Sequence, residues 1–473
     1  MPEFPDWVED HNDTGIEIKQ RGDNYYAYKV TSEWDSEKGH PRKITEKYLG
    51  KVTPDGIRPP KHERNRTPES ILETGNILLV RELFAPIQEP LAEAFPETWQ
   101  TLLAAATLKL CYGSPLKRLA HHHESSWSSR LWPEATLSKN SLTTRVREWG
   151  GAYDRRVEVF RSLADDGDHI AIDLTQVYSE SENITWLEKG YNAHQEFRNQ
   201  LQLLLVYNLT AHVPVFLKLL PGSLRDVSTL ENALAEANFG DAIVVVDKGF
   251  WSSQNFEELQ ASQLGYLAAV PRNSSLLTYV SASDYPTYFE WKDNHVWARS
   301  YATDDDRTVH HFLDMTARAE EEDTMLGQVD EGKKDLEKFH NHRERMGTLA
   351  LVTNRDFTAE SAYQLYKQRI EIESAFDVLV NTLEADKSFM QDREAIQGYM
   401  FMLFLALYAH SALLDQLRET ELLDRYSVPD VLEQLSKMYR VVIDGDVIDS
   451  EVTKQTRELI DDLEIPITQS LGS

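Results

Sequence analysis

Apolar residues recur along this chain with two different periods. Between residues 69 and 163 they recur every three or four positions, which is typical of helices that bury one face. One such helix is predicted from a Ser or Asn cap near 138–141 to the glycine pair at 150–151. Upstream, two β-rich runs within residues 24–57 flank a polar turn at 37–42, and this pattern predicts a hairpin.

Short apolar and β-branched runs replace the helical period from His169 onward. Their order is strand, strand, strand, helix, strand, helix, strand, beginning with HIAIDLTQVY and ending with YLAAV. Strands that alternate with helices predict an α/β fold with parallel strands. A β-rich and charge-rich interruption follows at 272–347, and the run TLALVTN then leads into a long helix that contains YKQRIEIESAFD, residues 366–377.

The changes of pattern predict a division of the chain into segments. These are an N-terminal hairpin region with a linker (1–66), a helical domain (67–165), an α/β core in two pieces (166–271 and 348–416), an insertion subdomain (272–347) and an acidic helical region (417–473).

The composition is that of a globular protein, with 41% hydrophobic and 27% charged residues. The single cysteine, Cys111, excludes an intramolecular disulfide and a zinc site built from several cysteines, which fits a reducing cytoplasm. The acidic N-terminus lacks the basic start and apolar run of a signal peptide. The most apolar segment, 399–414, is shorter than the roughly 20 residues of a membrane helix. We therefore predict a buried helix and no membrane partner.

The formal net charge of −29 opposes a general attraction to nucleic acid, whose phosphates bind Lys and Arg. The charge is uneven, because residues 112–161 carry nine Lys or Arg against five Asp or Glu, whereas residues 411–473 carry six against fourteen. The first segment is a candidate DNA contact through Arg145 and Arg147, although a solvated helix face explains the same charges equally well. Adjacent histidines in HHHE at 121–124 do not share a helix face, so no zinc site is predicted there.

Two aspartates occupy unusual positions in the predicted strands. Asp173 lies inside an apolar run, where an unpaired carboxylate is costly to bury, and Asp247 ends the run IVVV. Ligands of open α/β sheets gather at the carboxyl ends of the strands, and the two aspartates lie side by side if the first and fourth strands pair. Taken singly, each is better explained as a strand-end cap or a turn residue.

The two glutamates of the predicted helix at 366–377 lie on different faces of it. Tyr366, Arg369 and Glu373 are spaced by three and four residues and share one face, whereas Glu371 lies on the opposite side. Glu373 is therefore the predicted chemical carboxylate. For this helix alone, an Arg–Glu pair on a solvated face, worth a few tenths of a kcal/mol, is the simpler explanation.

Together the two aspartates and the glutamate form a suitable site for hard divalent cations. Mg²⁺ and Mn²⁺ prefer carboxylate oxygens and keep positions for water and phosphate. Two such ions about 3.5–4 Å apart can activate an attacking oxygen and stabilise the leaving oxygen at phosphorus. The order of strands and helices before the glutamate helix is that of a ribonuclease-H-like core, a mixed-sheet fold.

The sequence resembles the insertion-sequence DDE transposases of the class marked by a Tyr-x2-Arg-x3-Glu-x6-Lys signature. IAIDLTQVY resembles the strand of the first aspartate, PGSLRDVSTL the stretch before the second, VVVDKGFWS the second-aspartate strand and YKQRIEIESAF the glutamate helix. The N-terminal YKVTSEWDSEKGHPRKITEKYLGKVTPDGI is also similar to one branch of that class. The likeness therefore spans most of the chain.

The resemblance implies a DNA transposase that binds inverted terminal repeats, cleaves DNA and joins the ends to a target by two-metal-ion phosphoryl transfer. It implies that Asp173, Asp247 and Glu373 bind two Mg²⁺ or Mn²⁺ ions, and that Tyr366 and Arg369 contact DNA near the cut. The implied partners are double-stranded DNA and, in the DNA complex, a second copy of the chain. The helical segment 67–165 then becomes the DNA-end-binding domain of a cytoplasmic, nucleoid-associated enzyme.

The last residue of the signature is missing from this chain. Its position, seven residues after Glu373, is Val380, and the next lysine on about the same helix face is Lys387. Lys387 is therefore a candidate substitute contact to phosphate. Trp251, which follows Asp247 closely, is expected to pack near the site or to stack on a base.

Two other functions stay open at the level of the sequence. Val380 is compatible with a divergent or inactive DNA-binding relic, although the intact acid triad argues against it. A structure-selective nuclease could use the same core, but the long interruption at 272–347 favours a transposase. Matching inverted repeats in the DNA that flanks the gene would support transposition.

Overall fold

The computed structural model describes most of the chain. The described residues are 4–11, 13–22, 24–35, 39–60, 68–163, 169–179, 181, 183–184, 186–191, 197–221, 232, 235–236, 242–248, 264–385, 387–388, 390–443, 445–464 and 466. They form two compact units, one of residues 1–71 with 441–448 and one of residues 72–440 with 449–473. The predicted helical domain and the predicted core therefore share one unit, which differs from the division expected from the sequence.

The first unit is built on an antiparallel sheet. Its elements are α1 (Asp6–Glu9), β1 (Ile16–Arg21), β2 (Asn24–Asp35), β3 (His40–Thr53) and β4 (Gly56–Arg58), and the strand order is β1-β2-β3-β4. The region predicted as a hairpin contains β2 and β3, which pair from Tyr25↔Val52 to Asp35↔His40 with two bulges in β3. Val8 of α1 packs on Ile18, Ala27 and Val52, so α1 covers one face of the sheet.

Helices form the first part of the second unit. After β5 (Ser70–Glu73), at the boundary of the units, come α2 (Gly75–Leu83), α3 (Ala85–Ala94), α4 (Trp99–Tyr112), α5 (Leu119–Ser125), α6 (Ser128–Leu131), α7 (Lys139–Gly151) and α8 (Tyr153–Arg161). The predicted start of α7 is confirmed, because the Ser138 side chain accepts a hydrogen bond from the Ser141 amide.

A large mixed sheet forms the centre of the second unit. Its strands are β6 (His169–Ser179), β7 (Glu188–Tyr191), β8 (Phe197–Asn208), β9 (Val213–Pro221), β10 (Ile243–Val246), β11 (Gly265–Ala269), β12 (Thr287–Trp291), β13 (Asn294–Ala302), β14 (Thr308–Asp314), β15 (Thr348–Thr353) and β16 (Lys387–Ser388). The order is β12-β13-β14-β15-β11-β10-β6-β8-β7, with β9 beside β8 and β16 beside β6. β10 pairs in parallel with β6 and β11, so the first and fourth predicted strands do lie side by side. The helices predicted between these strands fall largely outside the described residues.

The segment 272–347 is not the separate insertion subdomain that the sequence predicts. Its strands β12, β13 and β14 extend the large sheet, because β14 pairs antiparallel with β15 from Thr308↔Thr353 to Leu313↔Thr348. Helices α9 (Met315–Asp330) and α10 (Leu336–His342) follow and bury a small cluster of Met325, Phe339 and Met346. An apolar run can therefore join a neighbouring edge strand even when a charged segment follows it.

The long helix predicted around YKQRIEIESAFD is broken into pieces. α11 (Ala359–Gln368) ends at Arg369, α12 (Ile370–Asp377) follows, and Val378–Thr382 form a π-helical turn. Val380 lies in this turn, and Lys387 lies in β16 beside Tyr178 of β6. The prediction that Lys387 shares the face of the glutamate helix is therefore wrong, because the chain has left the helix before reaching it.

The core helix of the second unit is α13 (Arg393–Glu419), against which α4, α7 and β9 pack. Two glycines allow α7 to approach it closely, since a Cβ on Gly150 would lie 1.7 Å from the Glu394 carbonyl oxygen and one on Gly398 1.8 Å from that of Val146. In the described part of the chain, α13 alone is long and apolar enough to cross a membrane, but 78% of its most apolar window is buried. This agrees with the predicted buried helix.

The C-terminal segment is mixed rather than helical. It contains α14 (Val428–Leu435), β17 (Tyr439–Ile443), β18 (Asp446–Asp449) and α15 (Lys454–Asp462). β17 lies between β18 and β5 in a three-stranded sheet. The sequence predicts an acidic helical region at 417–473, and it does not predict this pair of strands.

Candidate active site

Two neighbouring parallel strands bring Asp173 and Asp247 together at one place in the sheet. Val245 of β10 pairs with Ala171 of β6, and two residues further along these strands lie Asp247 and Asp173. Neighbouring strands run about 4.8 Å apart, so this register sets the two aspartates side by side. The buried β-branched run before Asp247 fixes the strand, and the carboxylate follows where the strand ends.

The carboxyl group of Asp173 lies in an unfavourable environment for a charge. Burial raises its pKa, while a hydrogen bond from the Leu174 amide (2.8 Å) and the charge of Arg369 lower it. The charges of Asp247 and Glu373 raise it again. The net pKa shift is upward, mainly because burial disfavours the charged form, with the two neighbouring carboxylates adding to it.

Tyr366, Arg369 and Glu373 come from the end of α11 and the first turn of α12. The Tyr366 hydroxyl donates a hydrogen bond to Asp247 Oδ1 (3.0 Å). The guanidinium of Arg369 donates to Glu373 Oε1 (2.5 Å) and lies 3.8 Å from Asp247 Oδ1. The helix residues predicted to share a face therefore meet the second aspartate, even though the helix breaks at Arg369.

Arg369 is the cation at the centre of this carboxylate cluster, defined here as Asp173, Asp247 and Glu373. Its side chain is only 11% exposed, and within the described residues its Nε has no hydrogen-bond partner. Burial lowers the pKa of Arg369, but Asp247, Tyr366 and Glu373 raise it above its usual value. Arg369 therefore stays charged and offsets part of the negative charge of the cluster.

Glu371 lies on the other side of α12, as predicted. Its carboxylate accepts a hydrogen bond from His212 Nδ1 (2.7 Å) and lies 3.4 Å from Arg418 Nη1. Its side chain is 12% exposed, against 50% for Glu373. His212 occupies the turn between β8 and β9, and Arg418 lies near the end of α13. The sequence predicts the side of the helix on which Glu371 lies, but it predicts neither His212 nor Arg418 as its partner.

The carboxylate cluster fits a divalent metal in its chemistry but not in its present arrangement. Carboxylate oxygens are the ligands that Mg²⁺ and Mn²⁺ prefer. Within the described residues, however, no three His, Cys, Asp or Glu side chains stand so that they could hold an ion. Arg369 forms an ion pair with Glu373 and also lies close to Asp247. This Arg369–Glu373 ion pair has to open before all three acids can bind one metal.

Two of the remaining predicted contacts, Arg145 and Arg147, pair with acids outside the cluster. Arg145 pairs with Glu148 (2.6 Å), and Arg147 pairs with Asp392 (2.7 Å) at the start of α13. Trp251 falls outside the described residues, as does the side chain of Lys387. The histidines of HHHE serve packing, since His122 stacks on Tyr112 and His123 hydrogen-bonds Ser128.

The comparison with protein families decides the class of this chain. A model described as a transposase DDE domain matches residues 164–409, which is more than half of the chain. The chain belongs to the transposase DDE domain family. The match includes every residue of the carboxylate cluster and the first part of helix α13, up to residue 409.

Other comparisons add little to this assignment. No curated protein matches this transposase. Among solved structures, the cryo-EM structure of the piggyBac transposase synaptic complex with hairpin DNA is similar over 80% of this chain and 81% of that chain. The sequence identity is 11% and the TM-score is 0.42, a likeness too low to transfer any detail.

Proposed function

We propose that this DDE transposase cuts and joins DNA at a site formed by Asp173, Asp247 and Glu373. The observation that carries the proposal is the meeting of three carboxylates from β6, the end of β10 and α12 around one largely buried arginine. Such a concentration of negative charge is costly unless a cation offsets it. The substrate class that suits this chemistry is a DNA phosphodiester, in transposon ends bearing inverted repeats and in target DNA.

The three carboxylates are the proposed holders of two Mg²⁺ or Mn²⁺ ions. When bound, such ions activate the attacking oxygen and stabilise the leaving oxygen of an in-line displacement at phosphorus. The partial burial of Asp173 supports this role, because a raised pKa reflects a carboxylate that a metal charge would stabilise. The core is proposed to be ribonuclease-H-like, a description that the parallel pairing of β6 with β10 supports.

Tyr366 and Arg369 are the proposed positioning and DNA-contacting residues. Tyr366 holds one oxygen of Asp247 by its hydroxyl and so leaves the other oxygen for a further ligand. Arg369 becomes available to bind a DNA phosphate once Glu373 binds a metal, because the Arg369 guanidinium then loses Glu373 as its closest partner. These roles match the Tyr-x2-Arg-x3-Glu part of the insertion-sequence signature. Lys387 from β16 stays a proposed phosphate contact, Trp251 a residue near the cut, and a homodimer the proposed DNA-bound form.

Arg145 and Arg147 of α7 are the proposed contacts to duplex ends. Both are already paired with acids, so binding DNA has to exchange Glu148 and Asp392 for phosphates. Neutralising both arginines should reduce the slope of log affinity against log salt by about 1.8 if each contacts one phosphate. Equal slopes for the wild type and the double variant would remove α7 from the DNA surface.

The test of catalysis is cleavage of a duplex that carries the inverted repeats flanking the gene, in Mg²⁺ or Mn²⁺. We expect Asp173→Asn, Asp247→Asn and Glu373→Gln each to abolish strand cleavage while end binding persists. A variant with near-normal cleavage would remove that residue from the metal ligands. End binding without cleavage by the wild type in either metal would instead support a DNA-binding relic.

A further inference from the structure

The sheet of the first unit has one covered face and one open face. Ile18, Ala27 and Val52 point to the side that α1 covers. Because side chains alternate along a strand, the residues between these positions point to the other side. Lys19 and Tyr26 are cross-strand neighbours there, and Tyr28 faces Tyr48. We call this second side the tyrosine face.

The tyrosine face is rich in positive charge. Among the strand positions that the structure describes and that are paired in the ladder, five cations face this side against one acid, Glu17, and the cations are Lys19, Arg21, Lys43, Lys51 and Arg58. All five are exposed. Glu17 pairs with Lys19 (3.4 Å) and Lys43 (3.2 Å), and Glu46, at a bulge of β3, pairs with Lys29 (2.9 Å). Such an excess is unusual in a chain of net charge −29.

Aromatic rings lie among these charges. Tyr26, Tyr28 and Tyr48 are half-exposed, and the Tyr48 ring lies 6.2 Å from Tyr26 and 5.1 Å from Tyr28 between ring centroids. The ammonium group of Lys19 lies 5.0 Å from the centre of the Tyr28 ring. Further along β2, on the same side of the strand, Trp34 is 66% exposed. Tyr26, Tyr28 and Tyr48 therefore form one aromatic cluster, and Trp34 lies six residues beyond Tyr28 along β2.

We propose that the tyrosine face binds a single strand of DNA, with phosphates on its cations and bases on its rings. The charge of the face is opposite to that of the phosphodiester backbone, and an aromatic surface offers base stacking worth about 1–3 kcal/mol per base. A duplex hides the faces of its bases, so it could use the cations but not the rings. The choice of DNA as the partner rests on the proposed function, and unpaired strands arise where DNA is cut and joined.

The first experiment measures binding of the full chain to a fluorescein-labelled oligo(dT) strand of about 20 nucleotides, long enough to cover the face. A blunt random-sequence duplex of similar length is the comparison, and both are titrated over a salt series in EDTA. Tyr26→Leu/Tyr28→Leu is expected to weaken binding of the single strand by about 5- to 100-fold and to leave duplex binding unchanged. Arg21→Gln/Lys51→Gln is expected to reduce the single-strand salt slope by about 1.4, or about 0.7 for each contact.

Lys29 and Lys47 provide the matched control. They are exposed cross-strand neighbours on the opposite side of β2 and β3, one residue from Tyr28 and Tyr48. Lys29→Gln/Lys47→Gln removes the same formal charge as Arg21→Gln/Lys51→Gln, and it should leave the salt slope at the wild-type value. An equal loss of slope in both double variants would mean diffuse attraction and would overturn the proposal.

Four further outcomes separate the proposal from its alternatives. Equal weakening of duplex and single strand by the tyrosine variant would overturn the assignment to single-stranded DNA. Unchanged DNA binding with a shift from dimer to monomer in sedimentation would make the face an interface between copies. If the face variants bind DNA as the wild type does and the wild type still cleaves DNA in Mg²⁺, only this proposal fails. If face-dependent binding is found but no cleavage, the proposed function fails and the proposal stands.

Discussion

Two glutamates in α12 lie two residues apart but should respond to substitution in opposite ways. Glu373 is half-exposed and belongs to the carboxylate cluster, whereas Glu371 is 12% exposed and accepts a hydrogen bond from His212. Glu373→Gln should abolish metal-dependent cleavage with little effect on folding. Glu371→Gln should lower the stability of the second unit and retain cleavage below its unfolding temperature.

The size of the difference follows from the burial of the two side chains. The hydrogen bond that the Glu371 carboxylate accepts from His212 is worth about 1.5–3 kcal/mol, and the ion pair with Arg418, which is 33% exposed, adds about 0.5 kcal/mol after allowance for solvent screening. The substitution should therefore cost about 2–3.5 kcal/mol. The ion pair of Glu373 with Arg369 involves an exposed carboxylate and should contribute less than about 1 kcal/mol.

The assay is thermal unfolding in EDTA, combined with cleavage well below the midpoint. One kcal/mol shifts the midpoint by about 2–4 °C in a unit of 150–250 residues and by less in a larger unit such as this one. We expect a fall of roughly 2–6 °C for Glu371→Gln and of less than about 2 °C for Glu373→Gln. Glu89→Gln, on the exposed side of α3, is the control for loss of one negative charge on a helix.

Two results would refute this reasoning about α12. One is a larger loss of stability in Glu373→Gln than in Glu371→Gln, since this would mean that burial does not determine the cost. The other is abolished cleavage in Glu371→Gln at an unchanged midpoint, which would place Glu371 in the chemistry.

Three other predictions concern charge and metal. Asp173→Asn should raise the thermal midpoint of the metal-free protein at neutral pH, because burial raises the pKa of Asp173 and its charged form opposes folding. This increase in the midpoint should disappear as the pH falls through the folded-state pKa of Asp173 toward 3.8, the value of a free carboxyl group. Mg²⁺ or Mn²⁺ should raise the midpoint of the wild type but not of Asp247→Asn, because a ligand of the folded state stabilises by mass action. The hydrogen bond to Glu371 raises the pKa of His212, so His212→Gln should lose most stability below pH 6.5 and progressively less as the pH rises through the folded-state pKa, measured by urea denaturation across a pH series.

The sequence predicts that Asp247 lies at the end of a strand, because a buried β-branched run ends at this residue. It puts Asp173 and Asp247 side by side only if the first and fourth strands pair, and the parallel pairing of β10 with β6 meets that condition. The helical period likewise separates Glu373 from Glu371, since residues four apart stay close even across the break at Arg369. These inferences need only neighbours in the chain or neighbouring strands.

Other features depend on contacts distant in the chain, which no local pattern encodes. His212 and Arg418 reach Glu371 from a turn and from the end of α13, at separations that a single sequence does not reveal. The π-helical turn at Val378–Thr382 shifts the chain out of the helical register, and this defeats any count of residues from Glu373 to Lys387. The strands of 272–347 extend the sheet because the edge at β15 is available to them, a fact that depends on the whole fold.

The position of Arg369 links the acidity of this transposase to its site. Three carboxylates repel one another in a partly buried region, and a chain of net charge −29 supplies few cations to offset them. Arg369 provides that charge from the same helical segment as Glu373, and it contacts both Glu373 and Asp247 in the metal-free site. In the proposed metal-bound site, the metal replaces this interaction with Glu373, so the affinity for metal would include the cost of opening the ion pair. Arg369→Gln should therefore bind Mn²⁺ more tightly in titration calorimetry while losing DNA cleavage, and weaker Mn²⁺ binding by this variant would show that Arg369 supports the metal site instead of competing for it.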